Sequence, residues 1–135
     1  MEGTTTIGGA LRVLSGTMTI GAYTLTVAGT TAIYSGGTLA ISSTTGTKTF
    51  GNITINGGTM SFSAAEDVTM NGDLTNNGTF SGTTGTWTFQ KSGGGGTISG
   101  SGGITIATAI FNQTYTNNGT LTVSTALSGS STLTN

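Results

Sequence analysis

Proline, cysteine and histidine are absent from this chain, and of its 135 residues only three are basic and four acidic, leaving a net charge of −1. Each absence excludes something. Without cysteine there is no disulfide framework and no thiolate metal site, so the fold rests on packing and backbone hydrogen bonds. Without a basic field nothing attracts nucleic acid or anionic lipid. Charged residues make up 5% of the chain, against about 25% in ordinary soluble proteins. The outer surface must therefore be built of threonine, serine, asparagine and glycine, and such a nearly neutral surface favours association. No stretch approaches the roughly 20 apolar residues of a membrane span, so no membrane insertion is expected. The opening Met1-Glu2-Gly3-Thr4 has neither a basic n-region nor an apolar h-region. It reads either as a chain whose leader has been removed or as a segment of something longer. A single domain over residues 1–135 is expected.

What the chain does contain is a repeat. A glycine followed by threonine recurs at Gly3, Gly16, Gly37, Gly58, Gly78, Gly96 and Gly119, spaced 13, 21, 21, 20, 18 and 23 residues apart. The next residues are Thr4, Thr17, Thr38, Thr59, Thr79, Thr97 and Thr120. Two positions past each glycine stand Thr5, Met18, Leu39, Met60, Phe80, Ile98 and Leu121, and four past stand Ile7, Ile20, Ile41, Phe62, Gly82, Gly100 and Val123. A strand turns alternate side chains to opposite faces, so this register puts the apolar column inside and the threonines outside. Short strands and glycine turns at a period near 20 residues are the signature of a β-solenoid. The expected fold is therefore all-β: a single-stranded β-solenoid of about six coils, with three short strands per coil.

From Gly16 a coil reads as Thr17–Ile20, Tyr23–Val27 and Ala32–Tyr34, closed by Ser35-Gly36-Gly37. The Gly37 and Gly58 coils repeat this, with Lys48-Thr49-Phe50 and Val68-Thr69-Met70 in the second place. The turn glycines Gly16, Gly37, Gly58, Gly78, Gly96 and Gly119, with their Asn-Gly and Gly-Gly neighbours, suit the positive φ that tight corners require. The pattern degrades after Gly78, where Gly93-Gly94-Gly95-Gly96 leaves little room for a third strand. Trp87, Phe89 and Phe111 are expected to fill the space that Gly82 and Gly100 leave empty, because protein interiors hold few voids. With strands about 4.8 Å apart, six coils make a rod about 30 Å long.

Candidate chemistry is sparse. The acids are Glu2, Glu66, Asp67 and Asp73, and the bases Arg12, Lys48 and Lys91. Glu66 and Asp67 would face opposite ways in a strand; in a turn they and Asp73 would mimic the carboxylates of a solenoid glycosidase or lyase. The reading adopted is a solvated corner. Catalysis, cofactor and metal are not expected, and Gly93–Gly96 lacks the aspartate of calcium-binding solenoid repeats. Sequons at Asn52, Asn77, Asn112 and Asn118 are possible glycosylation acceptors. Tyr23, Tyr34, Trp87 and Tyr115 would form a sugar-binding strip if exposed, although aromatics in strands more often pack.

The outward threonine ladder, Thr17, Thr38, Thr59, Thr79, Thr97 and Thr120, is read first as sheet stabilisation, worth about 0.2–1 kcal/mol per cross-strand pair. A sharper reading is ice binding by Thr-x-Thr arrays. Thr4-x-Thr6, Thr17-x-Thr19 and Thr120-x-Thr122 fit it, while Ala40, Ser61, Ser81 and Ser99 interrupt the second column.

Segments such as Ser35-Gly36-Gly37-Thr38-Leu39-Ala40-Ile41 and Asn117-Asn118-Gly119-Thr120-Leu121-Thr122-Val123 resemble the degenerate repeats of autotransporter passenger and filamentous-haemagglutinin-like adhesin β-helices. The resemblance runs from Gly3 to Val123. It implies a right-handed β-helix displayed at a bacterial or archaeal surface, with adhesive or scaffolding duty and no chemistry. It carries over no functional residues, because those repeats define a shape and not a site.

The expected function follows from the two ends. Thr4, Thr5, Thr6 and Ile7 open the chain, and Thr132, Leu133 and Thr134 close it, as strand-like runs with no proline, lysine cluster or helix to guard them. Unguarded strand edges pair with other edges, and a head-to-tail contact that does not close makes a filament. The expectation is a non-enzymatic extracellular or cell-surface protein that forms a homopolymer by end-to-end stacking. The alternatives are a segment of a larger adhesin, an ice-binding solenoid or one that binds host-surface or matrix glycans, and a pilin whose Met1–Ile7 or Ser131–Asn135 inserts into the next subunit.

Overall fold

The computed structural model describes residues 3–82 and 85–135, and among them there is no helix. Sixteen strands follow in order: β1 (Thr4–Ile7), β2 (Leu11–Val13), β3 (Gly16–Ile20), β4 (Thr24–Tyr34), β5 (Gly37–Ile41), β6 (Lys48–Asn56), β7 (Thr59–Phe62), β8 (Val68–Met70), β9 (Leu74–Asn76), β10 (Thr79–Ser81), β11 (Thr86–Phe89), β12 (Gly96–Ser99), β13 (Ile104–Phe111), β14 (Tyr115–Asn117), β15 (Leu121–Ser128) and β16 (Leu133–Thr134). Every ladder between them is parallel. Parallel neighbours about 20 residues apart in sequence are what a single chain winding upon itself produces. The protein is a β-solenoid of about six turns.

The coil has three faces. The first is built by β1, the start of β4, the start of β6, β8, β11, the end of β13 and the end of β15. The second carries β2, the ends of β4 and β6, β9, β12, β14 and β16. The third carries β3, β5, β7 and β10. The long strands bend from one face to the next, which is why register shifts appear between Val27 and Thr30 and between Ile106 and Thr108.

Alternation fills the interior. On the first face Leu25, Lys48, Val68, Trp87 and Ala109 stack as one inward column, and Val27, Phe50, Met70, Phe89 and Phe111 as a second. Ile33 with Ile55 and Ile53 with Leu74 and Ile98 do the same on the second face, and Leu39 with Met60 and Ile41 with Phe62 on the third. All of these are buried. Trp87 lies 5.5 Å from the Phe62 ring and 5.2 Å from Phe80, while Phe89 stacks on Phe111 at 4.7 Å with Tyr115 edge-on at 5.2 Å. Phe62, Phe80 and Trp87 thus gather in the coil whose third-face strand ends at Gly82, as expected, whereas Gly100 follows β12 on the second face and not the third.

The recurring glycines divide two duties. At the corner before β7, Gly57 adopts φ +77, the left-handed conformation that favours glycine. Gly58 has an ordinary φ but no room: a Cβ there would stand 2.6 Å from Ile33 Cγ2 and 2.9 Å from the Gly37 carbonyl, and would run into the Tyr34 carbonyl. One glycine makes the turn and the next lets successive coils touch.

Three expectations need correction. Gly96 does not occupy the corner of Gly37, Gly58 and Gly78. It opens β12 on the second face, where a Cβ would collide with the Tyr115 ring; the space goes to an aromatic. The uneven spacings of 18 and 23 on either side of Gly96 are the trace of this. Gly102 takes the third-face place, with its amide donating to the Asn76 carbonyl at 2.8 Å. Second, Gly93–Gly96 does not eliminate a strand, since β12 begins at its last residue. Third, Glu66 is not solvated but buried at the corner before β8.

Candidate functional site

The six-residue threonine ladder separates by face. Thr17, Thr38, Thr59 and Thr79 stack in direct register on the third face. Thr97 leaves that column for the second face, where it pairs with Thr116. Thr120 precedes Leu121, whose partner is Ile104, so Gly103 stands between it and the column of four. Thr4 pairs with Thr24 on the first face.

The first face carries an array the glycine repeat does not mark. Thr6, Thr26, Thr49, Thr69 and Thr88 are consecutive partners in five adjacent strands. Two residues before each stand Thr4, Thr24, Thr47, Asp67 and Thr86, of which Thr47 and Asp67 immediately precede β6 and β8. Nine of these ten outward positions are therefore threonine, whereas the third-face strands alternate threonine with alanine or serine at Ala40, Ser61 and Ser81. The signal in the sequence is Thr-x-Thr around a bulky centre, as in Thr24-Leu25-Thr26, Thr47-Lys48-Thr49 and Thr86-Trp87-Thr88. Gly46 and Gly85 precede two of these triplets but fall between the glycines of the 20-residue repeat, and Thr24 follows a tyrosine, so a register anchored on that repeat passes over them.

The ionisable residues do not converge. Glu66 and Asp67 lie in the corner before β8 and do not converge there: Glu66 is buried with neither carboxylate oxygen hydrogen-bonded, while Asp67 is exposed and accepts from the Thr86 amide at 2.8 Å. Lys48 lies in the inward column and its ammonium donates to the carbonyls of Thr45 at 2.8 Å and Gly46 at 2.7 Å. Burial pushes that ammonium below its ordinary pKa, and the Glu66 charge pulls the other way. Among the described residues no three His, Cys, Asp or Glu side chains come together as a metal site.

Asp73 belongs to the second face. Its carboxylate accepts from the Lys91 ammonium at 2.9 Å, from the Thr97 amide at 2.8 Å and from the Thr97 hydroxyl at 3.1 Å. Burial alone would raise its pKa, but the Lys91 and Thr97 hydrogen bonds and the Lys91 charge together hold it below the ordinary carboxylate range. A depressed folded-state pKa means that this contribution is present above the unfolded value, near 3.9, and is lost as pH falls through the folded one. Asp73→Asn is expected to cost about 0.5–1 kcal/mol near neutrality for so exposed a pair. Urea unfolding should show the gap from wild type closing as the solution is taken to strong acid.

The remaining candidates fall into place by burial. Asn52, Asn77, Asn112 and Asn118 are all exposed. The Oδ1 of Asn52 accepts from the Asp73 amide at 2.9 Å and that of Asn77 from the Ser101 amide at 3.0 Å, so these two also hold corners together. Trp87 and Tyr115 are fully buried and Tyr34 half-buried, which leaves Tyr23 as the exposed member of the four aromatics. Tyr115 donates its hydroxyl to the Gly72 carbonyl at 2.9 Å, and burial pushes its pKa up to about 12.

The ends are open among the described residues. Thr4–Ile7 form β1, paired on one side only, with β4. Leu133 and Thr134 form β16, paired only with β14, and Thr132 precedes it with its carbonyl accepting from the Tyr115 amide at 2.9 Å. Core columns run out at both extremities. A recess lined by Thr5, Met18, Ile20, Tyr23 and Leu25 lies at the first coil, and one lined by Phe111, Leu127, Ser128, Gly129, Ser131 and Leu133 at the last. Leu127 continues the inward column of Trp87 and Ala109, yet is 59% exposed because no coil covers it.

No protein-family model matches the chain, and no curated protein or solved structure matches it. Its functional reading rests on the solenoid itself. The arrangement offers two kinds of surface: uncovered coil ends, and lateral faces carrying ordered polar columns.

Proposed function

We propose that this chain is a non-enzymatic structural rod that extends by end-to-end stacking into an extracellular or cell-surface fibre. The observation that carries the reading is the open core at both extremities, above all Leu127, an inward residue with nothing above it. Stacking the first coil of one copy on the last coil of another would bury Leu127 and Leu133 against Met18 and Tyr23, and pair the free edges of β1 and β2 with those of β15 and β16. The contact is heterologous, so it propagates instead of closing. Because β1 is already a full member of its own sheet, addition of whole coils fits better than insertion of a loose donor strand. The surface location follows from the likeness of the repeats to those of autotransporter passengers and haemagglutinin-like adhesins. In a longer adhesin the same ends would be continued by chain instead of by copies.

Electron microscopy with light scattering over a concentration series tests this. Wild type is expected to form filaments with an axial repeat of about 30 Å, six coils at the strand spacing. Leu127→Lys should remain monomeric, since each further copy would have to bury an unpaired ammonium, whereas the lateral change Thr54→Lys should leave assembly intact. Folded wild type that stays monomeric at high concentration overturns the proposal.

A further inference from the structure

The first face has properties that neither stability nor end stacking requires. Nine of its threonines lie over five coils: Thr6, Thr26, Thr49, Thr69 and Thr88 pair in succession without a register shift, and Thr4, Thr24, Thr47 and Thr86 stand two residues before four of them. The columns repeat about 4.8 Å along the rod, and the two threonines of a strand lie about 6.6 Å apart across it. Branching at Cβ restricts each side chain to few rotamers, so the hydroxyls and methyls are held in place before anything binds.

The hydroxyls are also unspent. On the second face Thr75 Oγ1 bonds Ser99 Oγ at 3.1 Å, and the Thr97 hydroxyl donates to Asp73. Among the described residues of the first-face array, no threonine hydroxyl has a hydrogen-bond partner within the protein. Each retains a donor and two acceptor lone pairs for water. No aromatic side chain stands in either outward column, and Asp67 contributes the array's single charge.

We infer that the first face is an ice-binding surface that orders water into the lattice of a prism plane. Three features select this occupant. The two spacings lie close to the oxygen repeats of that plane in hexagonal ice. A nearly uncharged array complements a neutral lattice, whereas a charged partner would need charges that this face lacks. A crystalline polysaccharide would call for planar aromatic side chains on which sugar rings stack, and here the aromatics are inside the rod. The hydroxyls would anchor waters at lattice positions, and the methyls would exclude the disordered waters between them. Asp67 sits inside the array and marks its weakest row.

The experiment is thermal hysteresis on size-selected monomer, with ice-crystal shape and partition of the labelled protein into a growing single-crystal ice hemisphere. Wild type should open a gap between melting and freezing temperatures and label prism planes. Thr49→Lys and Thr69→Lys, which interrupt both neighbouring rows, should lose most of that gap while retaining the wild-type circular dichroism spectrum. Thr59→Lys, on the third face, should keep it. Folded wild type with no hysteresis and no uptake into ice overturns the inference. So does equal loss from substitutions on the first and third faces, or retention of crystalline cellulose or chitin without any effect on ice. Because the readout is taken on monomer, failure of end-to-end stacking leaves this result unaffected, and the reverse also holds.

Discussion

Replacing Trp87 by alanine is expected to remove about 3–5 kcal/mol and to divide the rod into two parts that unfold separately. Trp87 is fully buried, in contact with Phe62 and Phe80 on one side and beside Phe89, which continues to Phe111 and Tyr115. This chain of rings links β7 and β10 to β11, β13 and β14, across the coils where the third face thins to Gly82. Each coil of a solenoid is stabilised mainly by its neighbours, so a defect at one interface weakens coupling instead of lowering all parts equally. Hydrogen exchange should show β11 to β16 losing protection while β3 to β7 keep most of theirs, and the melt should become broader or biphasic. Trp87→Phe should be far milder. It keeps an aromatic ring and removes an indole N–H that is buried without a partner. A single sharp transition with uniform loss of protection in Trp87→Ala would contradict the division.

Gly58→Val should be strongly damaging through close approach alone. The added side chain enters a space already occupied by Ile33 Cγ2, the Gly37 carbonyl and the Tyr34 carbonyl, two of them backbone atoms that have no rotamer to retreat into. Overpacking costs typically about 1–3 kcal/mol where side chains yield, so about 3 kcal/mol or more is expected here. That corresponds to a fall in Tm of roughly 12 °C for a chain of this size. Gly36→Ala separates the two duties of the glycines. Gly36 has φ +83 but open space around its Cα, so its alanine variant pays about 1–2 kcal/mol of conformational strain and no clash. A Gly58→Val melt at or above that of Gly36→Ala would refute the close-approach reading.

The winding itself is legible in the sequence because it follows from period-2 alternation at a recurring interval, which depends on no tertiary detail. Met18, Leu39 and Met60 face inward, and Thr17, Thr38 and Thr59 outward, as their spacing from a glycine requires. Legibility fails where glycine has more than one reason to be present. Gly96 follows the Gly-Thr rule in sequence but serves the Tyr115 ring, a partner 19 residues away that no local pattern reveals. Glu66 fails for a similar reason: a charge in a glycine-poor turn reads as solvated, yet the next coil folds over it, with the Gly85 position packed on its carbonyl. The first-face array was hidden by choice of origin. Thr26, Thr49 and Thr69 align only after the differing corner lengths ahead of β4, β6 and β8 are known.

The unbroken parallel winding has a consequence for how the molecule is made. Every ladder joins a segment to the one laid down roughly one coil earlier. No step waits for a distant terminus to arrive. A finished turn is a template on which the next is laid, so structure can grow from the first coil onward while the polypeptide is still being synthesised.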